Sequence, residues 1–175
     1  MAKSTGTFLI LVIVGVAARA EDESRSAVVK KKAGEIVAAL EKEEYAKVVD
    51  LTYPKVVELM GGREKMIGAL EAGMKQLKER GHSFRSVEAG EPGEFLAEGK
   101  NTFVVVPTTT EMTVPGGKSI ASSYFLAISP DGGKTWTFID GNSLRTAERR
   151  KLILPKLPEK LELPEAKKPQ FIKNE

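Results

Sequence analysis

Two acidic side chains on predicted strands are the residues of this sequence best suited to proton transfer. Glu111 lies in the β-rich run TFVVVPTTTEMTV, and Asp140 ends the last predicted strand, directly after Phe138 and Ile139. A carboxylate in an apolar cavity has a raised pKa and can exchange protons near neutral pH. Both are therefore candidate catalytic bases. Strand carboxylates usually face solvent, however, and Asp140 opens an Asp-Gly-Asn-Ser stretch typical of a turn leading to a helix N-cap.

A second group of candidates consists of aromatic residues with a polar tip. Such side chains line ligand pockets because they combine an apolar body with one hydrogen-bonding group. Ordinary core packing is the alternative for each of them, and residues 108–110 are predicted to form a solvent-facing stretch of a strand. The candidate ligand-binding residues are Tyr45, Tyr53, Tyr124 and Trp136.

Other chemistries lack the residues they need. The chain has one histidine and no cysteine, and it contains no HExxH spacing and no glycine-rich phosphate loop. We therefore predict neither a metal nor a cofactor. A Ser-His-Asp triad would have to use His82, which directly follows Gly81 at the predicted end of a helix, a position where polar residues often cap carbonyls.

The octapeptide SPDGGKTW, at residues 129–136, resembles the Asp-box of sialidase-like β-propellers. A propeller needs four to eight four-stranded blades, whereas this chain has strands for about one blade and a single copy of the box. Turn chemistry explains the motif instead. Asp131 can accept hydrogen bonds from backbone N–H groups, Gly132 or Gly133 can adopt positive φ, and Trp136 can pack beneath the hairpin.

The first twenty residues have the order of a secretory signal peptide. A positive start with Lys3 precedes the apolar run FLILVIVGVA, and Ala18-Arg19-Ala20 matches a cleavage site. The apolar run is shorter than the ~20 residues that span a bilayer. We expect a secreted or periplasmic protein, with no membrane association after cleavage.

Cleavage would leave a nearly neutral chain. It would lower Lys plus Arg from 27 to 25 against 24 acidic residues. The densest basic cluster, Lys30-Lys31-Lys32, lies in a helix that also carries several glutamates. Nucleic-acid binding requires clustered cations, so we expect no nucleic-acid partner.

Periodicity predicts helices in the first half of the mature chain. A helix over 24–50 with a bend near 41–44, a short helix over 54–60 and a long helix over 63–80 follow from the apolar spacing, Pro54 and Gly81. The domain is expected to span 21–154, with a short helix over 143–152. A proline-rich charged tail without its own core is expected over 155–175.

The second half of the chain is predicted to be an antiparallel meander of four or five strands. Alternation and turn residues indicate strands over 83–88, 94–97, 102–114, 118–129 and 135–140. Pro107 indicates an edge position or a bulge, because it cannot donate to a ladder. Helices followed by strands predict an α+β fold, with the 63–80 helix covering one face of the sheet.

Two stretches, YPKVVELMGGREKM at 53–66 and DGGKTWTFIDG at 131–141, resemble uncharacterised secreted bacterial proteins. Together with the element order, they make residues 25–155 similar to the nuclear-transport-factor-2-like superfamily, also called SnoaL-like. The resemblance implies a cone-shaped α+β fold, with helices packed on a curved meander and an apolar pocket at the wide end. Some members of that superfamily are isomerases, dehydratases or cyclases, and many others only bind ligands or partners.

Three functions follow from these expectations. The first is a secreted domain that binds a small apolar ligand or a protein partner without catalysis. The second is a cofactor-free isomerase or lyase, in which Asp140 or Glu111 acts as general base and tyrosines hold an enolate-like oxygen. The third is a homodimer whose sheet faces pack together.

Overall fold

The computed structural model describes residues 11–165 and 167–174, with side chains from residue 22 onward. Helices precede strands, so the α+β prediction is confirmed. The first ten residues of the predicted signal peptide lie outside the described residues. The helices are α1 (Leu11–Glu41), α2 (Tyr45–Asp50), α3 (Pro54–Leu59), α4 (Arg63–Glu79) and α5 (Ala147–Ile153), with a 3-10 helix over Gly141–Leu144. The strands are β1 (Ser83–Ala89), β2 (Leu96–Glu98), β3 (Asn101–Val114), β4 (Gly117–Ser129), β5 (Thr137–Asp140) and β6 (Gln170–Lys173).

Local signals place most helix boundaries. The bend after α1 contains Glu43 at a φ of 58°, and Pro54 occupies the first turn of α3. Gly81 ends α4 at a φ of 75°, and the next backbone N–H, that of His82, donates to Leu77 O at 2.9 Å. This is the predicted glycine C-cap. α1 begins earlier than predicted, because no proline interrupts it upstream of residue 24.

Two long central strands organise the antiparallel sheet. β3 and β4 pair from Thr102–Ser129 down to Val114–Gly117, where Pro115 and Gly116 form a two-residue turn. Each outer edge is shared by two short strands: β1 and β2 pair with β3, and β5 and β6 pair with β4. The sheet therefore has six strands rather than four or five, but it is only four strands wide.

Pro107 lies within a central strand without breaking it. Its register to β4 is continuous, so there is no bulge at this position. On the other side, β1 ends at Ala89 and β2 begins only at Leu96, so Pro107 lies at a local gap in that edge. Its carbonyl accepts the Gly90 N–H at 2.8 Å, and no neighbouring strand needs the N–H that proline lacks.

Each face of the sheet carries a buried cluster, and side chains alternate between the two faces along β3 and β4. Even positions on β3 and odd positions on β4 point to the helices and form a helix-side cluster. The opposite positions form a tail-side cluster. The helix-side cluster includes Val29, Ala33, Ile36, Val104, Val106, Phe125, Ala127 and Phe138, and the tail-side cluster includes Phe103, Leu126, Ile128, Ile139, Leu144, Ile153 and Leu154.

The prediction that the 63–80 helix, α4, covers the sheet is wrong. α1, rather than α4, supplies the buried helical face, since Val29, Ala33 and Ile36 are at most 4% exposed. Small and β-branched side chains let α1 approach the strands closely. α4 has one buried residue, Met66, and packs mainly against α2.

The C-terminal segment docks on the other face. Leu157, Leu161 and Leu163 pack against the tail-side cluster, so the segment completes a core that the domain already has. Its last strand, β6, pairs with residues 117–120 of β4. The predicted helix over 143–152 is divided at Thr146, whose hydroxyl caps α5 by accepting the Arg149 N–H at 3.2 Å.

Candidate functional site

A cavity of about 440 Å³ lies between the helices and the sheet. We call it the helix–sheet cavity. α1, α2, α3 and α4 contribute one side of it, and β1, β3, β4 and β5 contribute the other. Its volume falls in the ~300–1,000 Å³ range of small-molecule sites.

The deep wall of this cavity is almost entirely apolar. Side chains from α1, α2 and α4 face residues of β3, β4 and β5 there, because these strand positions belong to the helix-facing set. Partly buried Leu40, Leu70 and Phe84 extend the same surface. The buried lining residues are Ile36, Val48, Met66, Thr108, Phe125 and Phe138.

Thr108 is the polar exception in this buried wall. It is 6% exposed, and its hydroxyl makes no hydrogen bond with any described residue but is open to solvent in the cavity. Its cross-strand partner on the same face is Ser123, which also lines the cavity. By contrast, the Thr52 hydroxyl donates to Val48 O at 2.8 Å. The expectation that residues 108–110 face solvent is therefore wrong for Thr108, since an even position on β3 faces the helices.

The cavity opens at one edge of the sheet. β5 pairs with residues 125–128 of β4 and β6 with residues 117–120, so residues 121–124 have no strand partner on that side among the described residues. Every exposed lining residue comes from this edge, from the 3-10 helix or from the C-terminal segment. These mouth residues are Ser122, Asp140, Asn142, Arg145, Lys167 and Pro169.

Asp140 lies at this mouth rather than in the apolar wall. Its side chain is exposed, and its carboxylate accepts the Asn142 N–H at 2.8 Å as the N-cap of the 3-10 helix. The capping geometry considered for Asp140 is thus present in the structure. Asp140 is the only carboxylate among the described lining residues.

Glu111 points away from the cavity. It occupies an odd position on β3, so its side chain lies on the tail-side face of the sheet. Its carboxylate is 3.3 Å from the Arg85 guanidinium and 3.3 Å from the Lys118 ammonium. The two predicted bases therefore do not meet in one site, and Glu111 forms a surface ion-pair cluster instead.

The four predicted aromatic residues do not line the helix–sheet cavity. Tyr45 is 7% exposed at the start of α2, and burial raises the pKa of its phenol. Tyr53 packs against the tail-side cluster, while its backbone N–H donates to Phe138 O at 2.9 Å. Trp136 belongs to the helix-side cluster and makes an edge contact with Phe95, with ring centroids 5.9 Å apart. Core packing accounts for all three.

Tyr124 lies on the tail side, where it lines a second cavity of about 310 Å³ together with Arg145 and Arg150. Burial raises the pKa of the Tyr124 phenol, against a smaller opposing effect of Arg150. A Cβ on Gly141 would lie 2.6 Å from Tyr124 Cε1, so a glycine is needed where the ring packs. This cavity and the helix–sheet cavity share the Arg145 region of the edge.

The Asp-box-like turn makes the predicted structural contacts. Asp131 accepts the backbone N–H groups of Lys134 at 3.1 Å and Thr135 at 2.9 Å. These bonds, led by those from Thr135, lower the pKa of Asp131 to about 2. Gly132 and Gly133 have positive φ, and buried Trp136 donates its ring N–H to Gly133 O at 3.0 Å. The turn chemistry is confirmed.

Two other expectations concern metals and membranes. No group of three or more His, Cys, Asp or Glu side chains in the described part of the chain could hold a metal ion. Within residues 11–165 and 167–174, no helix combines the length and the apolar character needed to cross a membrane.

Neither known protein families nor curated proteins yield a match to this sequence.

Sequence reasoning missed the residues that distinguish this cavity. Thr108, Arg145 and Lys167 come from a central strand, a 3-10 turn and the C-terminal segment, which are far apart in the chain. The alternation of the Thr-x-Thr stretch on β3 could have shown that Thr108 and Thr110 share a face with buried Val104 and Val106. No local signal places Lys167 and Arg145 at the same cavity.

Proposed function

We propose that this protein binds a small apolar ligand in the helix–sheet cavity and does not transform it. The observation that carries the proposal is the buried lining, which consists of five apolar side chains and the unpartnered hydroxyl of Thr108. No buried side-chain nitrogen or oxygen among the described residues lacks a hydrogen-bond partner, so the Thr108 oxygen is reached by solvent in the cavity. A ligand hydrogen-bonding group would satisfy the hydroxyl.

The lining chemistry supports binding over catalysis. Among the described lining residues there is no histidine, tyrosine or cysteine, and Asp140 is the sole carboxylate. A general base in such a site needs an apolar environment to bring its pKa toward neutrality. Asp140 is exposed and bound to the Asn142 N–H, which suits a structural cap better than a base. The isomerase or lyase alternative therefore has less support.

The proposal extends to the fold family and the compartment. A cavity between helices and an antiparallel sheet is what the resemblance to the nuclear-transport-factor-2-like superfamily implies. The signal-peptide pattern of residues 1–20 would place binding outside the cytoplasm. The homodimer alternative requires a free apolar sheet face. The part of the tail-side face left exposed carries Thr109, Thr113 and the ion-paired Glu111, so it is polar and gives this alternative less support.

Fluorescence of a neutral apolar dye, N-phenyl-1-naphthylamine, tests the proposal. We expect saturable enhancement with the wild-type protein. Ala121→Phe would place a ring in the cavity, because Ala121 lines it beside Thr110, and should weaken dye binding about tenfold or more. Ala97→Phe is the matched control, since Ala97 is exposed on β2 and away from the cavity.

Absence of saturable dye enhancement with the wild-type protein would contradict the proposal. Equal dye affinity of the wild type and the Ala121→Phe variant would place the dye elsewhere and would also overturn it. Loss of binding in the Ala97→Phe variant as well would indicate a general disturbance of the sheet rather than an occupied cavity, and this too counts against the assignment.

A further inference from the structure

We infer that the ligand of the helix–sheet cavity is a small amphipathic monoanion, with its apolar body in the cavity and its anionic head at the mouth beside Arg145 and Lys167. This inference rests on the proposed function and specifies its ligand class. It follows from the arrangement of the lining, in which buried residues are apolar except for one hydroxyl and all charged residues are exposed at a single opening.

The two mouth cations have no carboxylate partner. Neither Arg145 nor Lys167 forms an ion pair within the described part of the chain, although both are exposed at the opening. Some cations elsewhere are paired: Arg63 lies 2.9 Å from Asp50, for example. An anionic head group would therefore meet two cations that form no ion pair with a described side chain.

Asp140 is the acidic residue at the mouth, and its negative charge opposes the charges of Arg145 and Lys167. Its carboxylate lines the same opening, so the three charged mouth residues carry a net charge of +1. One of its oxygens is already bonded to the Asn142 N–H at 2.8 Å. The net positive charge favours a monoanion over a neutral or a cationic ligand. It also predicts that removing the Asp140 charge strengthens anion binding, whereas removing either cation weakens it.

Polar donors at the same edge complement the cations. The Asn142 side-chain amide makes no hydrogen bond to any described residue, and Ser122 also lies at the opening. The outer edge of β4 over residues 121–124 has no strand partner among the described residues. An oxyanion at this position would find neutral donors beside the two charged side chains, while its apolar chain extended toward Met66 and Phe138.

Competition between decanoate and decanol tests the inference, because the two molecules share a chain and differ in the charge of the head group. Each is titrated against bound N-phenyl-1-naphthylamine near neutral pH. We expect decanoate to bind about tenfold more tightly than decanol at low ionic strength. The preference should shrink at high salt, since exposed charges are screened.

A charge series assigns the head-group site. The Arg145→Gln/Lys167→Gln double variant should lose most of the decanoate preference, and Arg145→Lys should keep it. Asp140→Asn should increase the preference, because asparagine retains the cap while removing the negative charge. Arg149→Gln is the matched control: Arg149 is exposed on α5 and does not line the cavity, so its removal should leave the preference unchanged.

The outcomes separate this inference from the proposed function. If decanoate and decanol displace the dye equally, the anionic head group is wrong while the apolar cavity stands. If the dye does not bind at all, the proposed function fails. A decanoate preference that persists in the double variant, or that falls equally in Arg149→Gln, would overturn the assignment to Arg145 and Lys167. A smaller preference in Asp140→Asn would overturn the charge argument.

Discussion

Thr108→Val is the substitution that most directly tests the physical description of the cavity. Valine keeps the shape of threonine and replaces the hydroxyl with a methyl group. The Thr108 residue is 6% exposed, and its hydroxyl has no hydrogen-bond partner among the described residues. We therefore expect Thr108→Val to be more stable than the wild type in the absence of ligand, which is the reverse of the usual effect of a core substitution.

The magnitude follows from the cost of an unpaired hydroxyl. Burying such a group without any partner costs about 1–3 kcal/mol, but solvent still reaches the Thr108 oxygen, because it faces a cavity of about 440 Å³ that is large enough for water. The full cost therefore does not apply. We expect a gain of at most about 1 kcal/mol in the free energy of unfolding, or no more than roughly 2–4 °C in the melting temperature of a domain of this size.

Urea unfolding at equilibrium measures this gain, with two comparison variants. Thr108→Ser keeps the hydroxyl and removes a methyl group, so it should lose about 1 kcal/mol. Thr109→Val alters the exposed neighbour on the opposite face of β3 and should stay within about 0.5 kcal/mol of the wild type. Destabilisation of Thr108→Val by about 1 kcal/mol or more would show that the hydroxyl has a structural partner and would refute the reasoning.

Three further predictions concern the edge strand, the cap and the turn. A Cβ on Gly117 would lie 2.2 Å from Ile172 O, so Gly117→Ala should detach β6. Faster backbone hydrogen exchange over residues 170–173 would show the detachment. Unchanged exchange there would contradict the prediction. Asp140→Ala should lower the free energy of unfolding by about 1 kcal/mol, because it removes the cap of the 3-10 helix, whereas Asp140→Asn should leave it nearly unchanged. Equal losses of stability of the two variants in thermal unfolding would count against a capping role. Hydrogen bonds lower the pKa of Asp131 from 3.8 to about 2, so its stabilising effect is complete above pH 3.8 and disappears as the pH falls through about 2. The stability difference between the wild type and Asp131→Ala should therefore close over that interval in acid titrations, and a constant difference would refute the assignment.

Local chemistry made much of this fold predictable from sequence. Gly81 ends α4, Pro115 and Gly116 make the β3–β4 turn, and Asp131 organises its own loop. Each of these signals acts within a few residues, so the neighbouring sequence alone determines the backbone conformation. The order of helices and strands, and with it the α+β class, follows from the same kind of signal together with the change of apolar period after Gly81.

Long-range packing decided the rest, since periodicity shows that a residue is buried but does not show what it meets. Tyr53 and Trp136 could have lined a pocket, and only the assembled sheet places them in cores on opposite faces. Thr108 lies in the cavity wall because β3 is central and α1 covers that face. Lys167 reaches the mouth because leucines of the C-terminal segment dock on the tail-side cluster and β6 joins β4. The sequence by itself determined most of the elements and their turns, whereas the tertiary structure determined the cavity, because its lining comes from segments that only meet after folding.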